Sequence, residues 1–443
     1  MSKKIFGTYR DSYDEAKDFD IDHDNYAELE DFEDGFQEEK ETSNQEKREF
    51  EDPRYYKQIS DGKLTEISAE DDKLIDDWFN EYVEIEDPVL LMKHLTGFLN
   101  EHPDLVEKAS LHEEVIFQLG AGYLKIGRYD EFIQFLLEFR SKHPESYLKS
   151  FGYYDYNIIV WLISQNRVEE LPEYLENFKK YPVDFVDKVF ELLDLLYATN
   201  NAAFAYQLVS EIYPFMFYSE EVFGGESIVT PLIIEEYSKV LHPDYTDEEI
   251  DQLVENLKTI KCELLNRYYS ADFWKGNTDL MLRPFTSWDV TPQPRKEAFH
   301  NVHYKLVTNF RRFLKEKTGI SWISANFYVE KLAEYLARWV EKSDKPHKVL
   351  FDFSPEVMYK TIGSLIGKMM WIDFTSYVGH FNAIYYFADY LFVCGNIDES
   401  QRDKIQKDCI KVYNKPLDEL KKQYDECLVF TQFPLWGKIK HDN

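Results

Sequence analysis

The sequence predicts an all-α protein: helical hairpins stacked as a solenoid, followed by a C-terminal helical domain and preceded by an acidic, disordered tail. Three observations carry that expectation. Apolar residues recur at helical spacing, as in Val189, Leu192, Leu193, Leu196 and Tyr197. Residue–proline steps punctuate the chain at His102-Pro103, His143-Pro144, Tyr181-Pro182 and Tyr213-Pro214, at intervals of 41, 38 and 32 residues. No run alternates with period two well enough to make a sheet.

Length and composition set the limits first. A chain of 443 residues is too long for one compact core and suggests several units or one elongated array. Aromatic residues make up 16%, mostly Tyr and Phe, which suits helices packed by large wedges. The formal charge of −32 argues against free binding to nucleic acid or to an anionic membrane, since both are polyanions. Cys262, Cys394, Cys409 and Cys427 stand far apart with no CxxC pair, which points to neither a zinc site nor a disulfide framework and fits a reducing cytoplasm. The N-terminal MSKKIFGTYRDSYDE lacks the apolar core of a signal peptide. The longest apolar run, Tyr377–Cys394, holds His380, Asn382 and Asp389 and reads as a buried helix rather than a membrane span.

Residues 1–71 read as a separate tail. Residues 1–72 hold 24 Asp/Glu against 10 Lys/Arg, and such self-repulsion with few aliphatics disfavours a packed core. Tyr13, Phe19, Tyr26, Phe32, Phe36 and Phe50 recur among the acids, as in tails that dock aromatic rings on a partner. Asp20, Asp22 and Asp24 alternate like the first half of a calcium loop, because carboxylates at positions 1, 3 and 5 converge on one cation. Position 12 is Asp31 rather than Glu, position 8 is Ala27, and no strong helix flanks the loop, so a solvated acidic run is the favoured reading.

Order begins at Ser68-Ala-Glu-Asp71, an N-cap with an acid three residues on. Over residues 72–215 the helices come in pairs. Short polar corners mark the turns within them: Glu86-Asp87-Pro88, Gly127-Arg128, Asn166-Arg167 and Asn200-Asn201. Proline suits the joints between pairs, since it cannot continue a helix yet starts the next one well. In Leu119–Pro144 one helix closes on Tyr123-Leu124-Lys125, and a second runs from Tyr129 to Lys142. Leu119-Gly120, Tyr123, Gly127, Tyr129-Asp130-Glu131 and Pro144, with Ile116 at the usual tryptophan position, give this stretch its family likeness: it resembles one tetratricopeptide (TPR) unit. Phe132 and Phe139 replace two small residues of that pattern, so packing here is expected to be wider than in a regular array. The resemblance implies a concave face, lined by first-helix side chains such as Gln118, Gly122 and Lys125, that grips a peptide or helix.

Residues 216–294 read as a helical continuation with irregular connections. Phe215–Pro231, with Gly224-Gly225, reads as a loop; Thr246-Asp-Glu-Glu249 is a capping box opening a helix to about Tyr269; Gly276–Pro294 reads as an extended boundary. Residues 295–443 then carry helices at about 295–317, 325–342, 354–372, 376–394, 398–413 and 415–426. The apolar ending Leu435-Trp436 suits packing back on the body.

The sharpest chemical contrast is Arg295–Gly319, with seven Lys/Arg against two Glu. Phe299, Val302, Leu306, Phe310 and Phe313 form one helical face, with Lys305, Arg311, Arg312 and Lys315 over the opposite one. An ordinary solvated face is the simple reading. The sharper one is an anion site for an acidic partner or the chain's own tail, anchored by Arg311 and Arg312 because guanidinium pairs bidentately with carboxylate. His300 and His303 stand i, i+3, but no ligand set completes a metal site, and an interfacial histidine is expected. His380 and Asp389 lie nine residues apart on one helix, too far to form a dyad by themselves. Nucleophile and nucleotide signatures such as GxSxG, GxxxxGK[ST] and GxGxxG are absent.

The functional expectation is a cytoplasmic interaction scaffold or adaptor without a cofactor, binding a protein partner through the solenoid groove and the acidic aromatic tail. An acidic mimic of nucleic acid, inhibiting a DNA- or RNA-handling protein, is the alternative. A third possibility is an enzyme with its site around His380 and Asp389.

Overall fold

A computed structural model describes residues 68–103, 105, 113–218, 228–260, 270–289, 296–341, 351–366 and 373–436. Among them the regular structure is entirely helical. The candidate calcium residues Asp20, Asp22, Asp24 and Asp31, and the tail as a whole, lie outside the described residues.

The first helices are α1 (Ala69–Tyr82), α2 (Pro88–Glu101), α3 (Glu113–Lys125), α4 (Tyr129–Lys142), the short α5 (Pro144–Leu148), α6 (Phe151–Ser164), α7 (Leu171–Lys180), α8 (Val186–Ala198) and α9 (Ala202–Tyr218). Local chemistry accounts for their limits. Ser68 caps α1 by accepting the Asp71 N–H at 3.1 Å, and Asp87 caps α2 through Val89 and Leu90. The corners inside the pairs turn on left-handed residues: Gly127 at φ 67°, Asn166 at 56° and Asn200 at 60°. Pro144 opens α5 at its first turn, as the punctuation predicts. Pro214 behaves differently, because α9 runs through it to Tyr218. The expected stop there is therefore corrected: proline removes a single backbone donor, and the helix resumes beyond it.

The second group comprises α10 (Thr230–Ser238), α11 (Asp247–Thr259), α12 (Ala271–Leu282), α13 (Lys296–Thr318), α14 (Trp322–Glu341), α15 (Pro355–Ile366), α16 (Phe374–Val393), α17 (Glu399–Asn414) and the single turn α18 (Leu417–Leu420). The Thr246–Glu249 capping box forms in both directions. Two expectations change. Gly276 sits inside α12 rather than at an extended boundary, which starts only at Arg283. The continuous helix expected over 415–426 breaks into α18 and a 3-10 turn, Asp425–Leu428, because Lys421–Tyr424 leave the helical path.

Through α14 most helices pack on their neighbours in the chain, and then the order folds back. Helix α14 packs on α8 and α10 as well as on α13; α16 packs on α14 and α8; and the Asp425–Leu428 turn rests on α6. One continuous core runs from Trp78 to Phe430. Helix α16 is buried from Phe374 to Leu391, which explains its all-round apolar sequence without a membrane. Among the described residues no helix is long and apolar enough to cross a membrane.

Two polar networks fix the fold-back. Asn309 on α13 donates to the carbonyls of Leu280, Met281 and Arg283 at the end of α12 and accepts from the Tyr390 hydroxyl, which in turn accepts the Trp288 indole N–H. At the C-terminus, Tyr156 donates to Glu426 at 2.8 Å, while the Tyr129 hydroxyl lies 2.7 Å from both Asn157 Oδ1 and Asp425 Oδ2. Asn157 spends its amide on the Tyr153 carbonyl, so its oxygen can only accept. One hydroxyl proton cannot serve two acceptors, and a proton on Asp425 completes the set. Burial pushes the carboxyls of Asp425 and Glu426 upward together. The Leu435 and Trp436 amides donate to Asn382 Oδ1 and the Tyr386 hydroxyl, so the apolar ending does pack on the body.

Candidate functional site

The fold-back creates a recess where α8, α10 and α14 meet. Its position follows from local contacts. Asn200, ending the α8 corner, accepts the Ser321 N–H at 2.8 Å, and Ser321 Oγ accepts from the Ser324 N–H at the start of α14. One turn later the Tyr328 hydroxyl donates to the Ala198 carbonyl at 2.7 Å. These links hold the beginning of α14 against the end of α8. From behind, α16 comes close because it has glycine at 379, where a Cβ would stand 2.9 Å from the Phe327 ring.

The recess measures about 260 Å³. Leu193, Ile228, Ile234, Ile323, Phe327 and Asn326 are buried and form its floor. Asp194 and Tyr197 stand i, i+3 on α8 and share one side, with Glu330 across on α14. The Tyr197 and Phe327 rings are 6.4 Å apart between centroids. Among the described residues Asp194 accepts no hydrogen bond, and the Lys331 ammonium lies 3.9 Å away, beyond hydrogen-bond range. Glu330 accepts from the Asn326 amide at 2.6 Å.

The electrostatics are those of crowded carboxylates. Burial pushes the Asp194 carboxyl up to about 7; Asp373, Glu330 and Glu334 add to the rise, and Lys331 opposes it. Protein packed around its carboxyl also raises Glu330, although the side chain keeps contact with solvent, against the pull of Asn326 and Arg311. A polar chain continues behind the recess. Lys331 is 3.4 Å from Glu334 Oε1, and Glu334 Oε2 is 3.2 Å from His380 Nε2, off the hydrogen-bond direction. His380 Nδ1 donates to the Ser376 carbonyl at 2.7 Å. Glu334 is held below its ordinary value by His380 and Lys331, although burial alone would raise it.

The residues singled out from sequence fall in different places. Gln118 and Lys125 are exposed on α3, whereas Gly122 faces the preceding helix, where a Cβ would stand 2.7 Å from Pro88 Cβ. Lys305 is exposed on α13, and Arg311, Arg312 and Lys315 are half-buried. Arg312 lies over the Phe285 ring at 4.3 Å and 3.2 Å from Glu316, so much of its capacity is used within the chain. The positive charge of Arg311 opposes the rise at Tyr237 and at Glu330. His303 is buried and His300 lies outside the described side chains. His380 faces Glu334 on α14, while Asp389 lies 3.9 Å from Arg402 on α17, so the two serve different neighbours.

Sequence reasoning missed Asp194 and Glu330. The only signal was a carboxylate beside the apolar stripe of α8, and its partner wall lies more than a hundred residues away. Among the described residues the lining carries carboxylates, a phenol, an amide and the Thr230 hydroxyl, with no cysteine, histidine or serine. Such a set suits binding of a cationic or hydrogen-bonding group better than nucleophilic attack. No protein-family model, curated protein or solved structure matches this chain.

Proposed function

We propose that this protein is an interaction scaffold that holds a protein partner at the recess between α8, α10 and α14. The observation that carries the reading is the size and make-up of that recess. A cavity of about 150 Å³ holds a benzene ring, and pockets for drug-sized ligands run to roughly 300–1,000 Å³. At about 260 Å³ the recess fits one large side chain anchored from outside. Interfaces draw most of their energy from a few such anchors. The likeness of residues 112–144 to a TPR unit supports the same reading, with exposed Gln118 and Lys125 on α3 as a second contact surface. A cytoplasmic location, favoured by the scattered cysteines, belongs to this proposal.

The test is site-specific photo-crosslinking in the source cells. A benzophenone amino acid replaces Phe190 or Tyr197 at the recess, or the exposed Tyr359 on α15 as a control. The reading expects one protein adduct shared by the two recess positions and absent at 359. No adduct at the recess, or the same adducts at all three positions, would refute it.

A further inference from the structure

We infer that the recess is built to take an arginine side chain of the partner, its guanidinium lodged between Asp194 and Glu330. This deepens the scaffold reading and rests on it.

The argument starts from the shape of the lining. Its buried floor is largely apolar, and the two carboxylates stand nearer the solvent: the Asp194 side chain is 32% exposed, and Glu330 is exposed. A long basic side chain has the same order, with an apolar stem and a charged head that prefers the wetter end. An aspartate or glutamate of a partner would meet like charges. A purely apolar side chain would fill the floor but leave both carboxylates desolvated without compensation.

Charge supplies the second support. Around Asp194 stand Asp373, Glu330 and Glu334, facing the Lys331 ammonium. The Arg311 charge on α13 also favours the ionised form of Glu330. Lys331 is shared between Asp194 and Glu334 and is closer to Glu334, so Asp194 has no hydrogen-bonded cation of its own among the described residues. Arginine fits better than lysine. Its planar head can meet a carboxylate with two N–H groups and can also lie on an aromatic face. The half-buried Tyr197 ring offers such a face beside the carboxylates, while the Phe327 ring already carries the Lys331 ammonium at 5.4 Å.

The fit predicts a pH signature. Burial pushes the Asp194 carboxyl up to about 7, with Asp373, Glu330 and Glu334 adding to the rise and Lys331 opposing it. A guanidinium favours the ionised form, so its binding tightens as pH rises through that value and levels off above it.

The experiment pans a random peptide library against the immobilised full chain, in parallel with an Asp194→Asn/Glu330→Gln variant checked for native unfolding. The best recess-dependent peptide is then titrated against the full chain, and again with its arginine replaced by citrulline, which keeps the shape and removes the charge. Peptides lost on the variant are expected to contain arginine. Citrulline should weaken binding about tenfold or more, as for loss of a hydrogen bond to a charged group. Asp194→Asn alone should flatten the pH dependence. The inference is overturned if recess-dependent peptides lack a basic residue, if citrulline binds as well as arginine, or if no peptide depends on the recess. Failure here with a partner still crosslinked at Phe190 and Tyr197 would leave the scaffold reading standing and remove only the arginine.

Discussion

Replacing Gly152 by alanine should loosen the support under α8, the helix that carries Asp194 and Tyr197. Gly152 lies on α6 against Phe185, the residue just before α8. An added Cβ would stand within 2.6 Å of Phe185 Cβ and 2.8 Å of its Cδ1. These atoms lie at the root of the side chain, so the ring cannot swing clear without moving backbone. Phe185 is also fixed edge-on against Phe151 at 4.9 Å and Tyr153 at 5.6 Å. Overpacking of this kind costs about 1–3 kcal/mol, while alanine in a helix regains roughly 1 kcal/mol over glycine. The clash lies at the severe end, so the net loss should be about 1–2 kcal/mol. Gly97 on α2 provides the opposite case, since a Cβ there meets nothing within 4 Å. Gly97→Ala should stabilise by about 0.5–1 kcal/mol. Urea unfolding gives the sign of each change, and hydrogen exchange read on α6 and α8 peptides locates the first. A Gly152→Ala protein as stable as the parent, or more stable than Gly97→Ala, would refute the packing argument.

Three more predictions follow from the buried polar groups. Asp425 and Glu426 titrate above the ordinary carboxylate range, so their contribution is fully present below that range and is lost as pH rises through the raised folded values. Protection of residues 424–436 against hydrogen exchange, corrected for intrinsic rate, should therefore fall as pH rises, and Glu426→Gln should flatten the trend. Asn309→Ala removes the side-chain amide shared among three carbonyls at the end of α12 and takes the acceptor from the Tyr390 hydroxyl, and should cost about 2–4 kcal/mol in unfolding experiments. Asp155 is buried, accepts from Tyr147 at 2.6 Å and Asn177 at 2.8 Å, and is pushed up to about 6 by burial. Its stabilising effect should fade as pH rises through that value, and Asp155→Asn, which sets an amide against one donor, should cost about 1–3 kcal/mol by thermal unfolding.

What the sequence made legible was local. Ser68 and the Thr246–Glu249 box declare helix starts through short-range hydrogen bonds, and Gly127, Asn166 and Asn200 declare corners because they tolerate positive φ. Pro214 misled because proline marks a missing donor, and tertiary packing decides whether the helix ends there. The recess was not legible at all. Asp194, Ile234 and Glu330 are brought together only when α14 folds back on α8 and α10, and no periodicity within one helix encodes that return. Arg312 illustrates the same limit: its charge reads as a free anchor until the Phe285 ring, 27 residues upstream, is seen beneath it.

The most direct test of the scaffold account fills the recess and asks whether a partner is lost. Thr230→Phe places a ring into the space lined by Asp194, Tyr197 and Glu330 from the α10 side. The account predicts that the variant unfolds like the parent, while the protein crosslinked through Tyr197 in the parent falls at least about tenfold in stoichiometric co-purification, as for loss of a principal anchor. A filled recess that still retains that protein at parental levels would contradict it.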